Sequence, residues 1–318
     1  MSNVTCPMSR VKCLFFLHNS FMQIRIMVYR HSAFYSPLLA TVAAGFLKDE
    51  GLEPTYFVKP KDRNLYEMFR AGDVEVMQAA VSTSWDPLSK GVQDIPKHFA
   101  QINQRDGFFI ASRTKRASFS WKDLEGAEII ADHAQQPLVM LKYALHLQGV
   151  DWAKVRALNF GEPEAMVRAF RDGKGDFVHL QGPAPQQLEE DGNGHVLACV
   201  GDAMPPLAFS SLMAMPEFLN SAKAHAFMRA YRRALAWVNE ASATEIAARE
   251  LPMFEGISKE SLASAIARYQ QLATWRRDPL IPRDQYEVSM DAFIHAGVFK
   301  QRYSYDDVVI SASGAGPS

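Results

Sequence analysis

The segment Ser82-Thr83-Ser84-Trp85-Asp86-Pro87 gathers three hydroxyls, an indole and a carboxylate in six residues. Hydroxyls just ahead of a helix start can accept from the free amides of its first turn or meet a ligand anion, and an indole can stack on a flat molecule. The same residues also have a purely structural use, with Ser84 or Asp86 as a plain cap and Trp85 as core. Two further clusters carry titratable side chains: His133 beside Gln135 and Gln136, and His179 beside Gln181. Either imidazole can hydrogen-bond a ligand or act as a general acid or base near neutral pH. Loop histidines are also commonly no more than solvated polar residues. The stripe Arg229, Arg232 and Arg233 reads as a solvated helix face.

Signatures of common enzymes are missing. The sequence holds no Gly-x-Ser-x-Gly elbow, no phosphate-cradling P-loop, no His-Glu-x-x-His and no dinucleotide fingerprint after a strand. Its three cysteines, Cys6, Cys13 and Cys199, form no Cys-x-x-Cys pair and have no ligand spacing with histidine. A reduced protein is expected, with no metal site, no disulfide framework, no cofactor and no catalytic residue.

These segments have to be held by α/β elements. Strands are expected over 24–29, 53–59 and 74–79, alternating with helices over 36–48 and 65–70. That is the grammar of a parallel sheet covered by helices. It starts afresh with a strand over 128–131, a helix over 137–148 and a strand over 155–159. Two phrases match, 68–77 and 167–180: each runs from a helix through a glycine turn and an acidic residue into an apolar strand. One architectural unit is therefore expected twice. From 204 onward the character turns helical, over 216–239, 244–251, 259–272 and 283–296, and these helices are expected to pack back on the first unit.

With 318 residues, 48% of them hydrophobic, the chain has the length at which one core usually splits into two. Its 34 basic and 35 acidic residues leave a formal net charge of -1, so no global field draws it to nucleic acid or an anionic membrane. No stretch approaches the roughly 20 apolar residues of a membrane helix, so no membrane insertion is expected. A small molecule is the default partner, and a monomer the expected state.

The chain resembles the SsuA/THI5/NMT1 group of type II periplasmic solute-binding proteins over roughly 22–309. The likeness is carried by His31-Ser-Ala-Phe-Tyr-Ser-Pro-Leu-Leu-Ala, then Ala44-Gly-Phe-Leu-Lys-Asp-Glu-Gly-Leu-Glu and Met68-Phe-Arg-Ala-Gly-Asp-Val-Glu-Val. Lys122-Asp-Leu-Glu-Gly-Ala-Glu-Ile and Val167-Arg-Ala-Phe-Arg-Asp-Gly-Lys-Gly-Asp follow in the same order. The resemblance implies an α/β, two-lobed type II periplasmic-binding-protein fold with a ligand cleft between the lobes. Lobe 1 would span 22–108 plus 205–310 and lobe 2 109–204, with an N-terminal extension at 1–21 and a disordered tail at 311–318.

In such a fold the ligand sits among the loops that follow the strands, where helix N-termini favour oxyanions. The resemblance then implies ligand contacts from His31, Phe34, Tyr35, Asn64, Ser82, Thr83, Ser84, Trp85 and Phe108. His133, Gln135, Glu162, His179, Gln181 and Ser210 complete that expected set. The implied function is capture of a small sulfonate, pyrimidine or aromatic or organic acid for an ABC-type importer, with the transporter permease as partner. The alternative is a cytoplasmic enzyme on the same fold, a decarboxylase, a dehydratase or a pyrimidine-synthesis-like enzyme. Relatives resembling thiamine pyrimidine synthase use a lysine-bound pyridoxal phosphate and a sacrificial histidine; this chain has Ala79 and Thr83 at those positions. Without the amine no Schiff base forms.

Solute-binding proteins of this group are exported to the periplasm behind a signal peptide. Here Arg10 and Lys12 precede only the short apolar run 13–17, with no Ala-x-Ala site after it. The expectation for the sequence as written, with Met1 or Met22 as its start, is therefore retention in the cytoplasm. Cell fractionation checks this, and recovery of a processed periplasmic form contradicts it.

Overall fold

The computed structural model describes residues 21–310; the expected extension, apart from residue 21, and the expected tail lie outside the described residues. Ten strands form two five-stranded sheets. In chain order the strands are β1 (Met22–Val28), β2 (Leu52–Val58), β3 (Val76–Ala79), β4 (Lys97–Asn103), β5 (Phe108–Ser112), β6 (Glu128–Ile130), β7 (Arg156–Leu158), β8 (Phe177–Gln181), β9 (His195–Cys199) and β10 (Ser210–Ala214).

The first sheet has the order β2-β1-β3-β10-β4 and the second β7-β6-β8-β5-β9. Each is one plan. A central strand pairs parallel with two neighbours, and one antiparallel strand is inserted beside the third. The matching phrases explain the parallel part. Helix Leu65–Arg70 leads through Gly72 (φ 71°) into β3, and helix Pro163–Arg171 through Gly173 (φ 87°) into β8. A left-handed residue is needed to leave each helix, and glycine adopts it without a steric penalty.

The antiparallel insertions depart from the sequence reading. Residues 210–214, expected in a loop and at the start of an all-helical region, form β10, which pairs with both β3 and β4. Ser-Ser-Leu-Met-Ala has no two-residue alternation because every one of these residues is buried. Of the helices beyond it, Ala222–Glu240 and Ala243–Glu250 pack on helix Ser36–Ala43 of the first unit as expected, and the next two reach further. Helix Lys259–Gln271 packs on helix Ala184–Glu190, and helix Arg283–His295 on helix Gln135–Leu147, so both reach the side of the second sheet. Polar contacts fix the first of these: the Ser258 amide donates to Gln187 Oε1 at 2.8 Å, and Arg268 pairs with Asp202.

Trp85 is core. It is wholly buried, its Nε1 donates to the Tyr286 hydroxyl at 2.8 Å, and its ring meets Phe293 edge-on at 5.1 Å and Phe299 at 5.8 Å. The C-terminal helix Arg283–His295 supplies Tyr286 and Phe293, partners that local sequence around Trp85 does not reveal. Truncating this ring leaves a cavity and removes the donor to the Tyr286 hydroxyl, which keeps only its own bond to the Tyr303 carbonyl at 2.9 Å. Trp85→Ala is expected to lower unfolding stability by roughly 3–5 kcal/mol, measured by denaturant titration; a loss under about 1 kcal/mol would contradict the placement.

Candidate functional site

The carboxyl ends of both sheets' parallel strands face one cleft of about 1270 Å³, larger than the roughly 300–1,000 Å³ of most small-molecule sites. Its wall on the first sheet comes from residues just past β1, β2 and β3, and its wall on the second from residues past β6, β7 and β8. Hydrogen bonds cross it. Ser32 Oγ donates to the Gly182 carbonyl at 2.7 Å, Gln136 Nε2 to the Phe209 carbonyl at 2.8 Å and Gln181 Nε2 to the Tyr35 hydroxyl at 3.3 Å. Two ion pairs also cross: Arg30 with Asp132, and Lys61 with Glu162 at 3.1 Å.

Of the contacts expected from sequence, His31, Tyr35, Asn64, Ser82 and Thr83 line the first wall, and Phe108, Gln135, Glu162, Gln181 and Ser210 line the floor and the second wall. Several already have structural duties. Asn64 caps helix Leu65–Arg70 by accepting from the amides of Tyr66 at 2.9 Å and Glu67 at 3.2 Å. His31 Nδ1 lies 2.9 Å from the Tyr56 hydroxyl, and burial lowers its basicity.

Five expected contacts are elsewhere, and each has a packing reason. Trp85 is the core residue described above. Ser84, one residue before it, is fully buried and makes no cap hydrogen bond. Phe34 lies behind the floor, its carbonyl accepting from Asn103 Nδ2 at 2.6 Å and Trp275 Nε1 at 2.9 Å. His133 turns its Nδ1 back onto the Ala131 carbonyl at 2.8 Å and does not line the cleft. His179 is fully buried, with its ring stacked 4.5 Å from that of Phe108. Burial pushes its pKa down to about 4, so a neutral imidazole backs the cleft-lining Phe108.

Other cleft residues were not among the expected contacts. Gln78 on β3 accepts from the Tyr29 amide at 3.2 Å and donates to Ser210 Oγ at 2.7 Å. Its signal is legible afterwards: an amide inside the apolar run Val76-Met77-Gln78-Ala79 needs a partner or a ligand. Arg30 and Asp132 fall inside the expected loops, but nothing in sequence shows that they meet. Met253 to Ile257 reach the cleft from the helical region, by tertiary packing alone.

A family model described as NMT1/THI5 like matches residues 33–243. The chain belongs to the NMT1/THI5-like family. YtlA of Bacillus subtilis (strain 168), described as a candidate binding protein, is 25% identical over 295 residues, which is 90% of this chain and 87% of YtlA. Among solved structures, the ligand-binding component of an ABC-type import system from Staphylococcus aureus, with zinc bound, aligns at TM-score 0.70 and 17% identity, covering 91% of this chain and 96% of that one. The alkanesulfonate-binding protein SsuA from Xanthomonas axonopodis pv. citri, bound to MOPS, aligns at TM-score 0.67 and 15% identity, covering 92% and 97%. At these identities the likeness establishes the fold, that of the periplasmic binding proteins. Among the described residues no helix is long and apolar enough to cross a membrane.

This NMT1/THI5-like chain carries an unusual carboxyl where it passes from the first sheet to the second. Asp106 is fully buried; its Oδ1 accepts from the Phe108 amide at 2.7 Å, and its Oδ2 has no partner among the described residues. Burial pushes its pKa up to about 8, against the pull of that amide, and the nearby Asp132 charge adds to the rise. In the unfolded chain the carboxyl ionises near about 4. The folded value lies above the unfolded one, so this group's stabilising contribution is complete below about pH 4 and is lost as the pH climbs to about 8. Asp106→Asn keeps the acceptor and removes the titration. Its melting temperature is expected to gain on that of the parent protein steadily from pH 4 to pH 8; parallel curves would show an ionised Asp106 in the fold.

Proposed function

We propose that this protein is a solute-binding protein that closes two lobes on one small organic molecule and hands it to an ABC-type importer. The lobes are 22–108 plus 205–310 and 109–204, each built around one sheet. One observation carries the reading: the cleft takes its lining from the strand ends of both sheets and is bridged by hydrogen bonds from one to the other. A ligand held there touches both walls at once, so its binding free energy can favour the closed arrangement. The relatives support this, since YtlA is described as a candidate binding protein and the Staphylococcus aureus neighbour as a ligand-binding component of an import system.

The lining suits binding more than reaction. Tyr29 offers an exposed ring, Tyr35 and Phe108 line the cleft from almost wholly buried positions, and Gln78, Ser82 and Ser210 offer hydrogen-bond donors and acceptors. The Cys199 thiol and the His179 imidazole, which elsewhere could serve as nucleophile and base, are both fully buried outside this lining.

A thermal-shift screen of sulfonates, pyrimidines and aromatic acids, followed by calorimetry on the best of them, tests the reading. Mass spectrometry of the mixture should return that molecule unchanged; conversion to product would replace the binding reading with an enzymatic one. Tyr29 is 40% exposed and lines the cleft, so truncating its ring is expected to cost little stability. Tyr29→Ala is expected to weaken the ligand by about 1–3 kcal/mol, roughly 5-fold to 150-fold, with little change in melting temperature. Unchanged affinity would place the ligand away from this wall.

A further inference from the structure

Arg30 and Asp132 hold corresponding positions in the two sheets. Arg30 lies two residues past the end of β1 and Asp132 two past the end of β6, the strand that pairs parallel with both neighbours in each sheet. Their side chains meet across the cleft floor in a two-pronged ion pair, whose longer contact, Nη2 to Oδ1, is 3.3 Å. Only 24% of the arginine side chain and 2% of the aspartate side chain remain exposed. Asp132 Oδ1 also accepts from the Ala134 amide at 2.9 Å, which fixes the carboxylate in place.

We propose, resting on the solute-binding reading, that this pair sets the charge of the ligand: the cleft takes molecules with no net charge, neutral or zwitterionic, and turns away simple anions and cations. A neutral molecule can lie over the intact pair, and a zwitterion can replace each partner with its own opposite charge. An anion that takes Arg30 strands Asp132, almost wholly buried and near Asp106, without a counter-charge; a cation that takes Asp132 strands Arg30. Removing one member of a buried pair costs far more than the pair itself contributes, because the survivor stays desolvated and uncompensated. The rim does not offset this. Six cationic and five anionic side chains line the cleft, and three of the five rim cations have acidic partners: Lys61 with Glu162 at 3.1 Å, Arg63 with Asp73 at 2.7 Å and Arg171 with Asp191 at 2.5 Å.

Titration calorimetry on the full chain with sodium methanesulfonate and methylammonium chloride tests the proposal without the natural ligand. Asp132→Asn removes the counter-charge of Arg30 and is expected to bind methanesulfonate at least about tenfold more tightly than the parent protein. Arg30→Gln/Asp132→Asn should lose that gain. Arg30→Gln alone should instead gain methylammonium, which keeps the test open if Asp132→Asn fails to fold by circular dichroism. Parent protein that binds methanesulfonate as tightly as Asp132→Asn does would overturn the proposal, as would a folded Asp132→Asn with no gain. A ligand from the screen carrying a net charge would also sink it while leaving the solute-binding reading intact. A screen that finds nothing, together with the expected gain in Asp132→Asn, would separate the two the other way.

Discussion

The hydroxyl of Tyr269 ties together the places where the two sheets approach. It donates to the Gly107 carbonyl at 2.9 Å and accepts from the Gly182 amide at 2.8 Å. Gly107 stands between β4 and β5, where the chain leaves one sheet for the other, and Gly182 follows the end of β8. Neither position admits a side chain. A Cβ on Gly107 would lie 2.2 Å from the Phe34 ring, and one on Gly182 would lie 2.9 Å from the Tyr269 hydroxyl oxygen. The backbone groups at the crossing are buried, so each needs a partner, and a tyrosine from helix Lys259–Gln271 supplies it. The floor of the cleft, including the bond from Ser32 to the Gly182 carbonyl, rests on this junction.

Around that junction the buried polar groups are uncharged near neutral pH. Burial pushes Asp106 up to about 8, Tyr35 up to about 12 and His179 down to about 4. Low polarity penalises the charged form of each, whatever its sign. Arg30 and Asp132 instead meet as an ion pair, each facing the other's opposite charge at close range. The cleft is therefore rich in hydrogen-bonding groups and nearly balanced in charge. Such a lining discriminates by shape and by donor and acceptor placement more than by long-range attraction.

The C-terminal helices give this arrangement its mechanical character. Helices Lys259–Gln271 and Arg283–His295 each lean on a helix that covers the second sheet. In the second contact, the rings of His146 and His295 lie 4.1 Å apart. Any opening of the cleft would have to slide or loosen these contacts as well as part the cleft walls.

Sequence by itself determined the α/β class, the doubled unit and much of the cleft lining. Those features are written locally: a helix, a left-handed glycine and an apolar strand occupy adjacent residues, and loops after parallel strands must come out at one edge of their sheet. The family phrases fall along this same framework. Tertiary structure alone decided which side chain in each loop faces the cleft. Trp85 reads equally as a stacking platform or as core until Tyr286, Phe293 and Phe299 arrive from some 200 residues away to enclose it. β10 reads as loop until β3 and β4 claim both of its edges. Arg30 and Asp132, 102 residues apart, become one element of the site only when two separately specified sheets are set face to face. Contacts of that range are set by packing between elements, which leaves no periodicity or spacing in the chain.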